Sequence, residues 1–229
     1  RRHRQRLMQN LIQGKKVKRL RLMEELKAAR IPKSAKVWPK LKNQGKNMNV
    51  LHVVRPADGG MKNHILTLLR NLNKTKYRIF LACPHKNEWI SYLKDSDIEV
   101  VEIPLKGELS PSSDLKSVLQ LMDLIRKWDI DLVHTHGMKA GLVGRIAGSF
   151  VPGRAVPYLI ATVHNSVYHY QMPRYQRHLL AKVQKYLAMK TDQFITVSKA
   201  LKKEIMLWEG VPENKIQVIY NGIKVENFD

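Results

Sequence analysis

Asn49-Val50-Leu51-His52-Val53-Val54, followed after four residues by Gly59-Gly60 and a helical pattern from Met61, decides the fold. A short apolar strand that enters a paired-glycine turn and then a helix aims backbone N–H groups at whatever anion or sugar sits above the strand end. The glycines permit close backbone approach by a ligand. Further strand–polar-end–helix units follow at regular spacing, so the chain reads as an α/β protein. It is predicted to be a Rossmann-like parallel sheet of about seven strands, with helices on both faces and its site along the strand C-termini.

Outward from that stretch, strands are predicted at 49–54, 77–83, 98–103, 131–135, 158–163, 193–197 and 215–219. Helices are predicted at 61–72, 89–94, from an Asp114 cap to Trp128, 138–150, 174–189 and from a Ser198 cap through Trp208. Leu115, Val118, Leu119, Met122 and Ile125 are expected to form the apolar face of the third of these. The segment 105–113 reads as a turn-rich loop facing the site. Residues 1–46 read as a basic leader and linker, with Leu22, Met23, Leu26 and Ala29 as a helical stripe ending near Ile31-Pro32. Residues 47–229 form the α/β domain.

Charge separates the two parts. The chain carries 41 Lys+Arg against 19 Asp+Glu, a net of +22, of which +14 falls in residues 1–46. No acid occurs between Asp131 and Asp192, while eight Lys/Arg do. Such a balance speaks to partners rather than fold: phosphorylated substrates, anionic headgroups or nucleic acid. The single Cys83 rules out an internal disulfide framework and fits a reducing compartment. No apolar run is long enough to span a bilayer. The chain does not begin with Met and reads as a piece of a longer polypeptide.

Several chemistries are weighed and set aside. There is no G-x-G-x-x-G, and Cys83-Pro84-His85 rather than an acid ends strand two, so a classical NAD site is not expected. No Gly-x-Ser-x-Gly elbow exists, and Ser198 reads first as a helix N-cap. Asp95-Ser96-Asp97 precedes strand three, at the end away from the ligand face, and reads as a solvated turn. His134-Thr135-His136-Gly137 closes strand four and His164-Asn165 closes strand five. These side chains suit sugar hydroxyls or a phosphate near neutral pH, although packing of His134 or His136 fits the alternation equally. A zinc site lacks a matching Cys or carboxylate, so no metal is expected. In the helix near 174–190, Arg174, His178, Lys182 and Lys185 make a basic face, with Leu179, Val183 and Leu187 on another. That helix either packs on the sheet with its charges solvated or rests on anionic lipid, with Tyr168, Tyr170 and Met172 leading into it.

With these motifs in order, residues 49–222 resemble the N-terminal domain of family 4 glycosyltransferases, the retaining GT-B enzymes. The likeness rests on Val50-Leu51-His52-Val53-Val54 with Gly59-Gly60, Asp131-Leu132-Val133-His134-Thr135-His136, Ala161-Thr162-Val163-His164-Asn165 and Ile195-Thr196-Val197-Ser198. Its most specific part runs from Gly210-Val211-Pro212 through Lys215 to Asn221-Gly222-Ile223. The resemblance implies transfer of a sugar, with retention, from a nucleotide-sugar donor to a glycan, lipid-linked or small-molecule acceptor. No cofactor or metal is implied. This chain would supply the acceptor side, and a C-terminal donor domain lies outside it. By the same resemblance His164 is the catalytic-site histidine. Gly59, Gly60, His134, His136, Asn165, Ser198, Asn221 and Gly222 are substrate-side candidates. A cytoplasmic location, peripheral on the inner membrane face, is the matching expectation. The alternative is a non-catalytic α/β module that recruits an anionic partner through its basic arm; nucleic acid is the less favoured partner because no recognised motif or stacking platform appears.

Overall fold

The computed structural model describes residues 47–94, 96–108, 110–153, 156–166, 168 and 173–222. The expected leader helix in 1–46, Asp95, Tyr170 and Met172 lie outside the described residues. The strands are β1 (Met48–Val54), β2 (Tyr77–Cys83), β3 (Ile98–Glu102), β4 (Leu132–His136), β5 (Tyr158–Val163), β6 (Gln193–Thr196) and β7 (Ile216–Val218). They form one parallel sheet in the order β3-β2-β1-β4-β5-β6-β7. The helices are α1 (Gly59–Asn71), α2 (Lys86–Tyr92), α3 (Pro111–Lys127), α4 (Met138–Ser149), α5 (Arg174–Lys190) and α6 (Lys199–Glu209), with a 3-10 turn at Glu213–Lys215.

Alternation along the strands explains the layers. Val54, Ile79, Leu81, Cys83 and Val100 pack against Ile65, Leu66 and Leu69 of α1 and Trp89 of α2. On the opposite face Leu51, Val53, Phe80 and Val133 meet Leu121 and Ile125 of α3 and Val143 of α4. Farther along the sheet, Ala161, Phe194 and Ile216 are covered by Ala188 of α5 and Ile205 of α6. Burial pushes the Cys83 thiol up to about 12, so it stays protonated inside the first of these layers.

Close approach of α4 to the sheet depends on glycine. A Cβ on Gly144 would stand 2.6 Å from Thr135 Cγ2, and one on Gly148 would stand 2.5 Å from Leu159 Cδ2. Gly144→Val is therefore expected to destabilise the domain by about 1–3 kcal/mol through overpacking. Thermal unfolding of that variant checks it, and an unchanged midpoint would refute the close-packing account.

Three expectations change. The helix over 111–127 starts earlier than its predicted cap: Pro111 occupies the first turn after Ser110, whose N–H donates to Asp114 Oδ2 at 3.3 Å. Proline pre-set in φ nucleates this first turn, so the helix takes in residues 111–113 of the expected loop. Its inward face is Ser117, Leu121, Leu124 and Ile125, while Leu115 and Leu119 are exposed. On α5, the inward residues are Gln184, Leu187 and Ala188, and Leu179 and Val183 face outward. Eight residues turn a helix about 80° past two whole turns, so Leu179 and Leu187 do not share one face. Tyr168 is buried rather than presented outward, with its ring stacked on Trp208 at 5.2 Å. Among the described residues no helix is long and apolar enough to cross a membrane.

Candidate functional site

The strand order reverses between β1 and β4: connections run outward from β1 to β3, then cross back to β4 and onward to β7. A doubly wound sheet opens a crevice at the C-terminal ends of the strands flanking that reversal, and ligands bind there. The two helices that start at this point are α1 and α4. Gly59 opens α1 at φ +59°, and Gly137 precedes α4 at φ +79°, both in the region that favours glycine. A Cβ on Gly60 meets nothing within 4 Å, so open space lies above the first turn of α1. One on Gly137 would sit 3.5 Å from Met61 Sδ and 3.6 Å from Arg55 Nε, so the loops after β1 and β4 lie side by side. Arg55 donates from Nη1 to the Pro56 carbonyl at 2.8 Å. Two helix N-termini and a guanidinium thus share this crevice, an arrangement suited to an anion.

Beneath the crevice runs a column of histidines. Register sets it, because His52 pairs with His134 and Val54 with His136 across β1 and β4. His52, His134 and His136 are all buried. Their rings lie close: His134 and His136 centroids are 4.2 Å apart, and His52 and His136 centroids 5.4 Å. His52 Nδ1 and His136 Nε2 share a hydrogen bond at 3.1 Å, and His136 Nδ1 faces His164 Nε2 at 3.5 Å. His134 Nε2 and Thr162 Oγ1 share another at 2.7 Å. His64, from the second turn of α1, stands edge-on to His164 at 5.1 Å. Gly60 and His64, four apart, lie on one face of α1.

Burial keeps this column neutral. Desolvation is the main cause for every member, and for all but His64 mutual repulsion or a nearby cation adds to it. His52 is lowered to about 3, with Lys74 as the second cause. His164 is lowered to about 4, with His64 and Arg55 contributing. His134 and His136 are pushed well below the ordinary value, and His64 is lowered too. Neutral imidazole offers one donor and one acceptor, so the chain His52–His136–His164 can be oriented in either direction. The direction decides whether His164 Nδ1 presents a proton or a lone pair.

Among the described residues two histidine sets could hold an ion: His52, His134 and His136, and nearer the surface His64, His136 and His164. Each brings three ring nitrogens within 4.8 Å of one another. An all-nitrogen set suits a late first-row ion rather than Mg²⁺ or Ca²⁺. In the inner set the facing nitrogens of His52 and His136, at 3.1 Å, share a hydrogen bond, and their spacing is close to the ~3.3 Å between two ligands of a tetrahedral ion.

On the other side of β5 lies a small cavity of about 30 Å³, lined by Asn165, Arg145, Gln184, Tyr168 and Glu209 among others. Arg145 on α4 is buried; its Nε donates to the Gly141 carbonyl at 2.8 Å, and Nη2 donates to Gln184 Oε1. Tyr168 donates to Glu209 Oε1 at 3.1 Å. Burial raises Glu209, and Arg145 and Tyr168 oppose that rise. Lys139, also buried, pairs with Asp114 and ties α4 to α3.

The crevice thus gathers Gly59, Gly60 and His164, with His136 and His134 packed behind them. Asn165 lines the small cavity, which reaches Gly137 and Met138 at the start of α4. Ser198 caps α6, accepting from the Leu201 N–H at 3.2 Å. Asn221 and Gly222 are exposed beyond β7, three strands from β4, or ~14 Å by ordinary strand spacing. Arg174, His178, Lys182 and Lys185 are exposed on α5, on the flank of the sheet. Sequence reasoning missed His52, His64, Arg55 and Arg145 as parts of these clusters. For His64 a signal existed in its position four residues after Gly60.

Known proteins are similar to this chain in sequence and fold. The profile of Glycosyltransferase Family 4 matches residues 58–227. A UDP-Gal:alpha-D-GlcNAc-diphosphoundecaprenol alpha-1,3-galactosyltransferase of Escherichia coli is 29% identical over 191 residues, 82% of this chain and 48% of that protein. The capsular polysaccharide biosynthesis glycosyltransferase CapM of Staphylococcus aureus is 33% identical over 141 residues, 59% of this chain and 36% of that protein. The chain therefore spans about half or less of the curated relatives it matches. Among solved structures, a glycosyltransferase from Rickettsia africae superposes with a TM-score of 0.61 at 19% identity, covering 80% of this chain and 45% of that one. On the matched span and the fold together, the chain belongs to Glycosyltransferase Family 4, whose GT-B architecture has this Rossmann-like sheet as its N-terminal domain.

Proposed function

We propose that residues 47–229 are the acceptor-side half of a retaining glycosyltransferase, preceded by a basic leader at 1–46. It moves a sugar from a nucleotide-sugar donor, a UDP-sugar first, to a glycan or lipid-linked acceptor at the cytoplasmic face of an anionic membrane. The observation that carries this reading is the crevice where the N-termini of α1 and α4, Arg55 and His164 converge at the β1/β4 reversal. The UDP-sugar and the lipid-linked acceptor are suggested by the name of the E. coli relative.

The chemistry asks little of protein nucleophiles. The acceptor hydroxyl oxygen bonds to the anomeric carbon on the face from which the nucleoside diphosphate departs. The carbon–oxygen bond to the diphosphate breaks with its electron pair going to the phosphate oxygen, which takes the acceptor proton. The positive ends of α1 and α4 and Arg55 stabilise negative charge in the crevice. His164, neutral at pH 7, hydrogen-bonds the transferred sugar. A second domain closing on this one excludes water and aligns the two substrates. No step uses a metal or a cofactor.

The test is turnover by the intact protein against a panel of nucleotide sugars. Gly60→Val fills open space without meeting a neighbour, so the fold survives while the ligand is displaced. It is expected to lower kcat/KM about 100-fold, and His164→Ala to lower kcat by about the same factor. The 229-residue chain alone is expected to turn over none of the panel. Full turnover in both variants would sink the site assignment.

A further inference from the structure

The outward face of α5 is apolar where a surface helix is ordinarily polar. Tyr175, Leu179, Val183, Tyr186 and Met189 are 71%, 63%, 37%, 46% and 66% exposed. At about 100° per residue they fall within an arc of about 120°, opposite the inward Gln184 and Ala188. The helix is inverted relative to an ordinary covering helix: polar Gln184 points in and the large apolar side chains point out. Cations accompany them. Lys182 lies within the arc, Lys190 also lies within it, and Arg174, His178 and Lys185 line one edge. Across its 17 residues α5 carries five Lys/Arg and no acid.

We infer that this face of α5 is the protein's seat on an anionic lipid surface, its apolar arc entering the headgroup–acyl boundary while its lysines meet lipid phosphates. The inference rests on the reading above for its purpose, which is to bring the crevice to a lipid-borne acceptor; the surface itself stands on the helix alone. Charge chooses the occupant. A second copy would bring two chains of net +22 together through faces with no acid to pair with. The leader at 1–46, at +14, carries no net negative charge to complement the face. A nucleic acid would satisfy the lysines but would leave the apolar arc in water. An anionic bilayer interface satisfies both. With five charges in 17 residues the helix lies in the interface plane instead of crossing it.

The α5 helix also enters the fold in a useful direction. It begins after β5, at the end of the sheet where His164 stands, so Arg174, Tyr175 and His178 are at the crevice end of the flank. A protein lying on α5 would hold its crevice beside the lipid surface.

Flotation of the intact protein with vesicles of phosphatidylcholine containing about 30% phosphatidylglycerol tests this, against pure phosphatidylcholine. Binding to the anionic vesicles only, weakening as salt rises, is expected. L179D/Y186D and K182E/K185E are each expected to weaken it about tenfold or more. These side chains are exposed, and an unchanged circular-dichroism spectrum confirms that the fold is intact. Equal binding by parent and variants would overturn the inference, as would absence of binding to anionic vesicles. So would a self-association or an RNA complex abolished by L179D/Y186D with vesicle binding unaffected. Turnover separates this from the functional reading. Vesicle binding lost while turnover of a water-soluble acceptor is kept supports the seat. Vesicle binding in an intact protein that turns over no nucleotide sugar removes the functional reading and leaves the seat standing.

Discussion

Urea titrations at falling pH are expected to show this fold losing stability steeply below pH 6.5. The cause is the buried histidine column. His52, His134 and His136 are neutral in the fold, and desolvation holds their folded values far below the unfolded one. The unfolded chain therefore binds more protons than the folded chain as pH drops through 6.5, and stability falls with it. Each histidine contributes ~1.4 kcal/mol per pH unit once the unfolded state is protonated. The three together give a slope of about 4 kcal/mol per pH unit. The loss continues until the folded values are reached, which for His52 is about 3. A domain of ordinary stability, ~5–15 kcal/mol, then unfolds at a midpoint of roughly pH 3–5.5. Glu209 and Asp192 work in the opposite sense, since burial raises their folded values and favours the fold as pH falls, but they are two groups against five lowered histidines. The check is the proton uptake on unfolding, read from the dependence of the urea midpoint on pH between 6 and 4.5. At least three protons are expected, because His164 and His64 add to the buried three. His52→Asn should remove about one. An uptake below one proton in the parent would refute the column as the origin of acid lability.

The same column shows how far a one-dimensional pattern reaches. Strands were legible wherever apolar alternation and flanking polar residues agreed, and β2 and β5 begin and end where the pattern places them. The position of the site at strand C-termini was legible too, because Gly59-Gly60, His136-Gly137 and His164-Asn165 each follow an apolar run. His52 was not legible as a partner of His134, because the strand order β2-β1-β4 is what makes them neighbours. Nothing local in Val50-Leu51-His52-Val53 says that a second histidine strand lies alongside. His64 was hidden for a related reason: it reads as one position of an amphipathic helix until α1 is laid over the sheet.

Faces of helices were the least legible element. Leu115 and Leu119 on α3, and Leu179 and Val183 on α5, fit an inward stripe by spacing, yet they face out. A periodic stripe identifies a helix, but when two arcs are apolar it does not say which one the sheet covers. Packing decides that. On α3 small Ser117 sits against the sheet, and on α5 Ala188 meets Phe194 and Ile205 while Gln184 is taken by the guanidinium of Arg145. The polar inward residue is what frees the apolar arc of α5 for another partner.

Arg145→Met is expected to destabilise the domain by about 3–5 kcal/mol, although methionine fills much of the same volume. Arg145 is buried, its Nε held by the Gly141 carbonyl and its Nη2 by Gln184. Its charge offsets the raised carboxyl of Glu209, itself buried and held by Tyr168 at 3.1 Å. Removing the guanidinium strands a buried carboxylate and a buried amide oxygen, and each loses its compensation. Glu209 then titrates upward, so the loss is expected to shrink as pH falls and the carboxyl protonates. Pairing the change with Glu209→Gln should recover most of the stability, because no uncompensated charge remains. A double-mutant cycle by urea unfolding gives the coupling directly. Additive effects of the two changes would show that Arg145 and Glu209 act independently and would dismiss the network. The consequence for the site follows from Tyr168. It ties the segment after β5 to α6, and that segment begins with His164 and Asn165. Tyr168→Phe keeps the stack on Trp208 and removes only the hydrogen bond to Glu209, so it separates anchoring by the ring from anchoring by the hydroxyl. If the hydroxyl positions the crevice, kcat in the intact protein falls while KM for the donor holds. If the ring suffices, both constants stay at the parent value and the Arg145–Glu209 network serves stability alone.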